Sequence, residues 1–519
     1  MLLKSLITLI VCALLLNHGE CARILGIFDM PSVSHHILCS KLMKGLAEAG
    51  HDVTMVSGHA LKENFISKKN GTFTNIVLDG VVEEFEEFMK DAQVLSENKT
   101  ISSGSLFDIL KGFSNRTAQF MKQPKLKQLV ASKPKFDLII SEYFFNDMIH
   151  VYANILDCPL VLLNSQGPTE YISPIVANPR PVSYVSHVFY QMSKNFTLIE
   201  RTINLAVAIM NYSLMQLFFL RYQEKSLQDV YPGSPSIYEL YDRVALILLN
   251  SHSSINEAVP LVPNMIEIGG YFIDPPKKLP KDLQEFMDGA KEGVIYFSLG
   301  SNAKSKDMTQ EKKNIFLNIF GKLKQKVIWK FEEKLPNMPS NVLIKDWYPQ
   351  KDILAHPNMR LFITHGGLLS TTETIYHGVP ILAIPIFADQ HSNAAKAVDG
   401  GYGLQLKYLD SNFTEERLEY LIKELLNNPK YKDNAKHRSR LYHDRPMPPM
   451  ETAIYWVEYV IRHGGAPHLK VAGKNLHWYE YFMVDVIAFL VLVISLVVFS
   501  LKFALKKVFK RQKAKVKTN

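Results

Sequence analysis

Leu361-Phe362-Ile363-Thr364-His365-Gly366-Gly367-Leu368-Leu369-Ser370-Thr371-Thr372-Glu373 is the stretch on which the fold turns. It opens on an apolar run of strand length, turns at two glycines and continues as a helix with Ser370 and Glu373 in its first turns. Strand, glycine turn and helix make the repeating unit of an open parallel α/β sheet. Glycines at that turn let backbone approach a ligand, and the helix N-terminus presents unpaired N–H groups to a phosphate. Two flanking segments sharpen the reading. Trp347-Tyr348-Pro349-Gln350 comes before and Asp389-Gln390 after, each at or just beyond the carboxyl end of a strand. Open α/β sheets bind their ligands at that edge.

Outward from this segment the same alternation covers most of the chain. Apolar strands are expected at 24–28, 53–56, 138–140, 160–163 and 244–249, with a helix after the first carrying Leu38, Leu42 and Leu46 on one face. Asp274-Pro275-Pro276 to Pro280 is rich in breakers, and the pattern then restarts with strands at 294–298, 327–330, 342–344, 361–364 and 381–384. The expected organisation is an α/β half over 22–273, a linker over 274–285, a second α/β half over 286–445 and a crossover helix with a membrane-proximal segment over 446–483.

The two ends set the compartment. Lys4, the apolar run 6–16, Gly19 and Cys21 have the layout of a cleaved signal peptide over 1–21. Residues 486–501 carry no charge and centre a membrane span expected over 484–505, followed by a basic tail over 506–519. Lysines on one side of a span mark its cytoplasmic face, so the body is expected in the lumen as a single-pass type I protein. Six Asn-x-Ser/Thr acceptors (Asn70, Asn98, Asn115, Asn195, Asn211 and Asn412) agree with a lumenal glycoprotein, and Lys515 and Lys517 resemble an endoplasmic-reticulum retrieval address. Of the +9 formal charge, eight basic residues and no acidic one lie from Lys502 onward, so the body is nearly neutral and no nucleic-acid partner is expected. Hydrophobic residues at 47% exclude a disordered chain. Without Cys12 and Cys21, the remaining Cys39 and Cys158 are too few for a disulfide framework or a zinc cluster and read as buried thiols.

Taken together, 347–390 resembles the signature segment of the UDP-glycosyltransferases, the glucosyl- and glucuronosyltransferase family, including its membrane-anchored invertebrate branch. The likeness extends to the first strand and helix, the Ser298-Leu299-Gly300-Ser301 turn, and the run from Asp444 through the span. It implies a GT-B fold, two Rossmann-like domains facing a cleft plus one C-terminal transmembrane helix. The donor would sit on the C-terminal half and the acceptor on the N-terminal half. A helix at 451–463 would cross back with Ile454, Val457 and Ile461 on one face. By the same resemblance Trp347 stacks on uracil and Gln350 contacts the nucleoside. His365 reaches the diphosphate with Ser370 and the backbone near Gly367, and Ser301 also faces phosphate. Glu373 accepts from the ribose hydroxyls, and Asp389 and Gln390 hold the sugar hydroxyls. Leu369 departs from the pattern, since relatives often carry Asn there, which removes one polar contact.

The family's catalytic base corresponds to His35 in Pro31-Ser32-Val33-Ser34-His35-His36. A helix N-terminus disfavours positive charge, so His35 is expected to stay neutral. Its carboxylate partner falls at Glu142, where many relatives have Asp, with Asp147 as the alternative. No Asp-x-Asp occurs, so no metal and no other cofactor is suggested, and the UDP-sugar is a co-substrate. Direct displacement would invert the anomeric centre. Glucose is the expected sugar, with glucuronic acid still open. The acceptor is expected to be small and lipophilic, which fits detoxification or hormone and metabolite conjugation. Its pocket would come from loops between 63 and 222, with 205–220 either lining it or lying on the membrane. A dehydrogenase is disfavoured because no Gly-x-Gly-x-x-Gly follows the first strand. A non-catalytic nucleotide-sugar or lipid-binding relative is the main rival, and the sequence does not decide between a monomer and a homo-oligomer.

Overall fold

The computed structural model describes residues 21–61, 65–67, 69–97, 103–188, 195–300, 304–336 and 338–516. All but the last residue of the expected signal peptide, the sequon at Asn98, the turn residue Ser301 and the terminal Lys517 lie outside the described residues.

Two all-parallel sheets carry the body. The first contains β1 (Arg23–Phe28), β2 (Asp52–Ser57), β3 (Thr72–Val77), β4 (Leu138–Tyr143), β5 (Leu160–Asn164), β6 (Val244–Leu249) and β7 (Met265–Glu267), in the order β3-β2-β1-β4-β5-β6-β7. The second contains β8 (Val294–Ser298), β9 (Lys326–Lys330), β10 (Val342–Lys345), β11 (Met359–Thr364), β12 (Ile381–Ala383) and β13 (Gly403–Gln405), in the order β10-β9-β8-β11-β12-β13. Every residue of β4, β5 and β6 is buried, as expected of central strands covered by helices on both faces. Three strands escape the sequence reading. β3 lies at a sheet edge with half-exposed alternation, and β7 and β13 are only three residues long.

Strand order places the functional edge. In the first sheet it reverses between β1 and β4, in the second between β8 and β11. A reversal of this kind opens a crevice at the strands' carboxyl ends. Helix α1 (Val33–Ala49) leaves β1 and stops at Gly50, whose φ of 112° suits a residue without Cβ. In the second half α2 (Gln350–Leu354) follows β10, α3 (Leu368–His377) follows β11, and α4 (Gln390–Asp399) follows β12. The irregular linker ends at Pro280. A helix at Lys281–Asp288 begins inside the expected 274–285 stretch and packs Leu283 and Met287 into the second half's core.

Crossover helix α5 (Pro449–Arg462) buries Ala453, Val457 and Val460 in the core of the first sheet, beside Leu42 and Leu46 of α1. The expected face is therefore rotated. Val457 is shared, while Ile454 and Ile461 are only partly buried at its margin. One face of the second sheet is filled by aromatic rings, with Trp329 fully buried at 5.2 Å from Phe297.

The helix run Leu198–Val230 is long and apolar enough to cross a membrane by length and composition. Its packing makes it part of the body. Asn204 Nδ2 donates to the carbonyls of Val182 (2.6 Å) and Val185 (2.9 Å), and Asn211 Oδ1 accepts from Tyr171 Oη at 3.2 Å. The asparagines thus face inward while Ile209, Met210 and Phe218 stay exposed. The Asn211 sequon is buried in the folded chain, which closes it to a glycan.

A second compact unit runs from Lys470 to the C-terminus. Its helix α6 (Val484–Val516) holds an apolar stretch within Val484–Lys510 and is long enough to span a membrane by length and composition. It continues past the expected end at 505 because lysine and arginine are good helix formers. Cys39 and Cys158 are free and buried.

Candidate active site

His35 stands in the first turn of α1, at the carboxyl end of β1. Its Nδ1 lies against Oε1 of Glu142, which sits on β4 directly across the strand-order reversal and is fully buried. The other carboxylate oxygen of Glu142 accepts from Cys39 Sγ at 3.5 Å. Asp147 is turned elsewhere. Beyond β4 the chain enters a single 3₁₀ turn, Asp147–His150, and the Asp147 oxygens accept from Tyr241 Oη (2.7 Å) and Gln223 Nε2 (2.8 Å). The geometry brings Glu142, not Asp147, to His35.

The pKa of His35 is moved in two directions by its surroundings. Burial would lower its pKa, as would the helix N-terminus, but the Glu142 charge and hydrogen bond raise it above the ordinary value, with Asp389 and Asp29 adding to the rise. Asp389, one of the charges that raise it, belongs to the second half. Between the halves a cavity of about 90 Å³ is bordered by Gln166, Thr169 and Arg180 on one side and Leu368, Asp389 and Lys396 on the other. Phe144 packs edge-on to the His35 ring at 5.0 Å and begins an aromatic wall with Phe113 and Phe145.

In the second half the residues of 347–390 converge. Gln350, first residue of α2, donates through Nε2 to Ser370 Oγ (3.1 Å) and Glu373 Oε2 (2.6 Å) on α3. Trp347 is 56% exposed at the strand edge. Gly367 caps α3 without a side-chain hydrogen bond, so the first N–H groups of that helix remain open to an anion. The His365 ring is clasped by two glycines. A Cβ on Gly300 would lie 2.6 Å from its Cε1 and one on Gly367 2.5 Å from its Nε2. The space left by Gly367 is thus taken by His365, not reserved for a ligand. Burial, then the nearby Lys330, lowers the His365 pKa to about 4, so it is a neutral N–H donor near pH 7.

Asp389 accepts from Asn393 Nδ2 at 2.8 Å, and Asn393 also donates to the Gly366 carbonyl, which ties the turn after β11 to α4. The Gln390 side-chain oxygen accepts from the backbone of Ile386 and Phe387, so a sugar contact by Gln390 falls to its amide nitrogen. Leu369 packs against the core of the first half, an apolar contact across the cleft in place of the polar one it cannot make.

Two residues were not singled out from sequence. Lys330, the last residue of β9, is buried, donates to the Gly300 carbonyl (3.0 Å) and Glu332 (2.7 Å), and lies 5.8 Å from the Trp347 ring. Asp29 follows β1, is buried and accepts from Thr117 and Asn146, each at 2.6 Å. A buried charge next to a ligand edge is a recognisable signal only once strand order is known. Among the described residues no group of three or more His, Cys, Asp and Glu side chains is gathered as a metal site.

Burial lifts the Glu373 pKa to about 7, against the opposing pull of Gln350 and Lys351. As a partner for a diol, the carboxylate would be the stronger acceptor ionised above that pH and the weaker one protonated below it. UDP affinity measured by calorimetry should therefore fall ~3- to 10-fold between about pH 7.5 and 6. Glu373→Gln should flatten the dependence. An unchanged slope in that variant would remove Glu373 from the nucleotide site.

Residues 27–518 match the family described as UDP-glucoronosyl and UDP-glucosyl transferase. UDP-glycosyltransferase UGT5 of Dactylopius coccus is 35% identical over 495 residues, covering 93% of this chain and 91% of that protein. UDP-glucuronosyltransferase 2B15 of Homo sapiens is 30% identical over 532 residues, covering 98% of each. Among solved structures, the complex between a UDP-glucosyltransferase from Polygonum tinctorium capable of glucosylating indoxyl and 3,4-dichloroaniline superposes with a TM-score of 0.59. It is 16% identical and covers 86% of this chain and all of that one, a likeness of fold alone.

Proposed function

Because the chain belongs to the UDP-glucuronosyl and UDP-glucosyl transferase family, we propose that it transfers glucose from UDP-glucose to the hydroxyl of a small lipophilic acceptor, with inversion at the anomeric carbon. That it is a UDP-sugar-dependent glycosyltransferase acting on a small acceptor follows from membership and near-full-length relatives. The single observation that carries the mechanism is the contact of the half-buried His35 with the fully buried Glu142 carboxylate. With Nδ1–H directed at Glu142, the His35 Nε2 lone pair is the one left to take a proton.

In this reading the acceptor oxygen attacks the anomeric carbon as Nε2 takes its proton. The bond from that carbon to the UDP oxygen breaks on the opposite face, and Glu142 stabilises the imidazolium. Asp389 and Gln390 hold the sugar, Trp347 stacks on uracil, and Gln350 with Glu373 takes the ribose. The departing UDP charge meets the neutral N–H of His365, the open N-terminus of α3, Ser370 and the Lys330 ammonium. Ser301 joins this phosphate set by resemblance. No resident cofactor enters the scheme. The Phe144 wall beside His35 favours an apolar, ring-bearing acceptor, in keeping with detoxification or metabolite conjugation.

Glucose is preferred over glucuronic acid on the resemblance to the invertebrate branch, which the relatives' identities support. UDP-glycosyltransferase UGT5 and UDP-glucosyltransferase 2 of Dactylopius coccus, at 35% and 33% identity, stand above the 30% of the human protein. Turnover of a phenol panel by microsomal protein with several UDP-sugars tests the donor. UDP-glucose should be preferred, and transfer of glucuronic acid alone would overturn the choice. The body is placed in the lumen of the endoplasmic reticulum. A protease added to sealed microsomes should trim only the tail beyond α6, and a glycosidase should shift the mass of the protected body. Digestion of the body from outside would reverse the orientation.

A further inference from the structure

Asp274, the first residue of the proline-rich linker, is gripped from both sides of the cleft. One carboxylate oxygen is ion-paired with Lys41 and the other accepts from Lys351 at 2.7 Å. Lys41 lies on α1, the helix that carries His35, and Lys351 follows Gln350 on α2. All three side chains are about one-third exposed or less. Burial alone would raise the Asp274 pKa, but the two lysines hold it below the ordinary range, so the carboxylate is charged whenever the enzyme is working.

We propose that Asp274 is a positioning residue that locks the base-bearing helix α1 to the nucleoside-bearing helix α2 across the cleft. This rests on the roles given above to His35 and Gln350. Two halves joined by an irregular linker can hinge or shear, and transfer between substrates held on separate halves depends steeply on their alignment. A carboxylate with one lysine on each half fixes that alignment at the linker itself. Because the pairs touch solvent, added salt weakens them.

The full-length enzyme in detergent or microsomes provides the test. Asp274→Asn should lower kcat ~10-fold while UDP affinity stays within ~2-fold, since the donor site on α2 and α3 remains whole. Wild-type kcat should fall as salt is raised from about 0.02 to 0.5 M, and Asp274→Asn should have lost that dependence. Asp274→Glu should restore both properties. Lys41→Met should slow wild type but add nothing to Asp274→Asn, because both remove the same link. Overturning results are an Asp274→Asn enzyme with wild-type kcat and salt response, or Lys41→Met and Asp274→Asn effects that multiply. His35→Ala, run in parallel, separates the two levels. If it transfers normally the mechanism above fails, whereas a dead His35→Ala beside a normal Asp274→Asn removes only the clamp.

Discussion

His35→Ala should abolish transfer to aliphatic alcohols and leave UDP binding intact. General-base contributions are ~10²–10⁴-fold, and an alkyl alcohol has no other route to lose its proton at neutral pH. The ion pair with Glu142 raises the His35 pKa, so the imidazole is a stronger base and is ready only above a higher pH. The acid limb of kcat/KM should therefore lie above the ordinary histidine value, with activity lost as pH falls through it. Glu142→Gln should move that limb to lower pH and reduce the plateau, because the amide keeps the shape and loses the charge. Acidic phenols should suffer least in both variants. Asp147→Asn should act on stability instead. Tyr241 and Gln223 both donate to that carboxylate, and an amide offers them one acceptor oxygen in place of two. A His35→Ala enzyme that turns over alkyl alcohols normally, or an Asp147→Asn enzyme with the deficit assigned to Glu142, would end this account.

His365→Ala should slow turnover by ~10²-fold or more and weaken UDP binding, as for loss of a donor aimed at developing charge. The ring is neutral near pH 7, so its contribution is one N–H bond and not a full charge. It also fills the space between Gly300 and Gly367, and its removal frees the turn after β8 to collapse toward α3. His365→Asn should recover part of the loss, because it keeps a donor near the same place. Lys330 remains as the cation in either variant, which predicts that a His365→Ala, Lys330→Met enzyme is weaker than either single change. Near-normal rates and UDP affinity in His365→Ala would remove this histidine from the diphosphate site.

Much of this was legible in the chain itself. Alternating apolar runs and helices identified two parallel sheets, because a strand covered on both faces must be apolar throughout. The segment 347–390 pointed to one strand edge of the second sheet, because residue types suited to a base, a phosphate and diols recur there at the ends of strands. An uncharged run followed by lysines identified the anchor. Short edge strands such as β7 and β13 were missed because three residues carry too little periodicity to register.

Tertiary structure decided the rest, and the reason is that charge acts through space. Glu142 and Asp147 are neighbours in sequence, yet only one reaches a histidine 107 residues away, because the 3₁₀ turn after β4 swings the other toward Tyr241. His35 and His365 are the same residue type at the same kind of turn, and their pKa values move in opposite directions. A buried carboxylate stands beside the first, and burial with a lysine nearby acts on the second. The family resemblance singled out both histidines; only the neighbours brought in by folding give their pKa values opposite shifts.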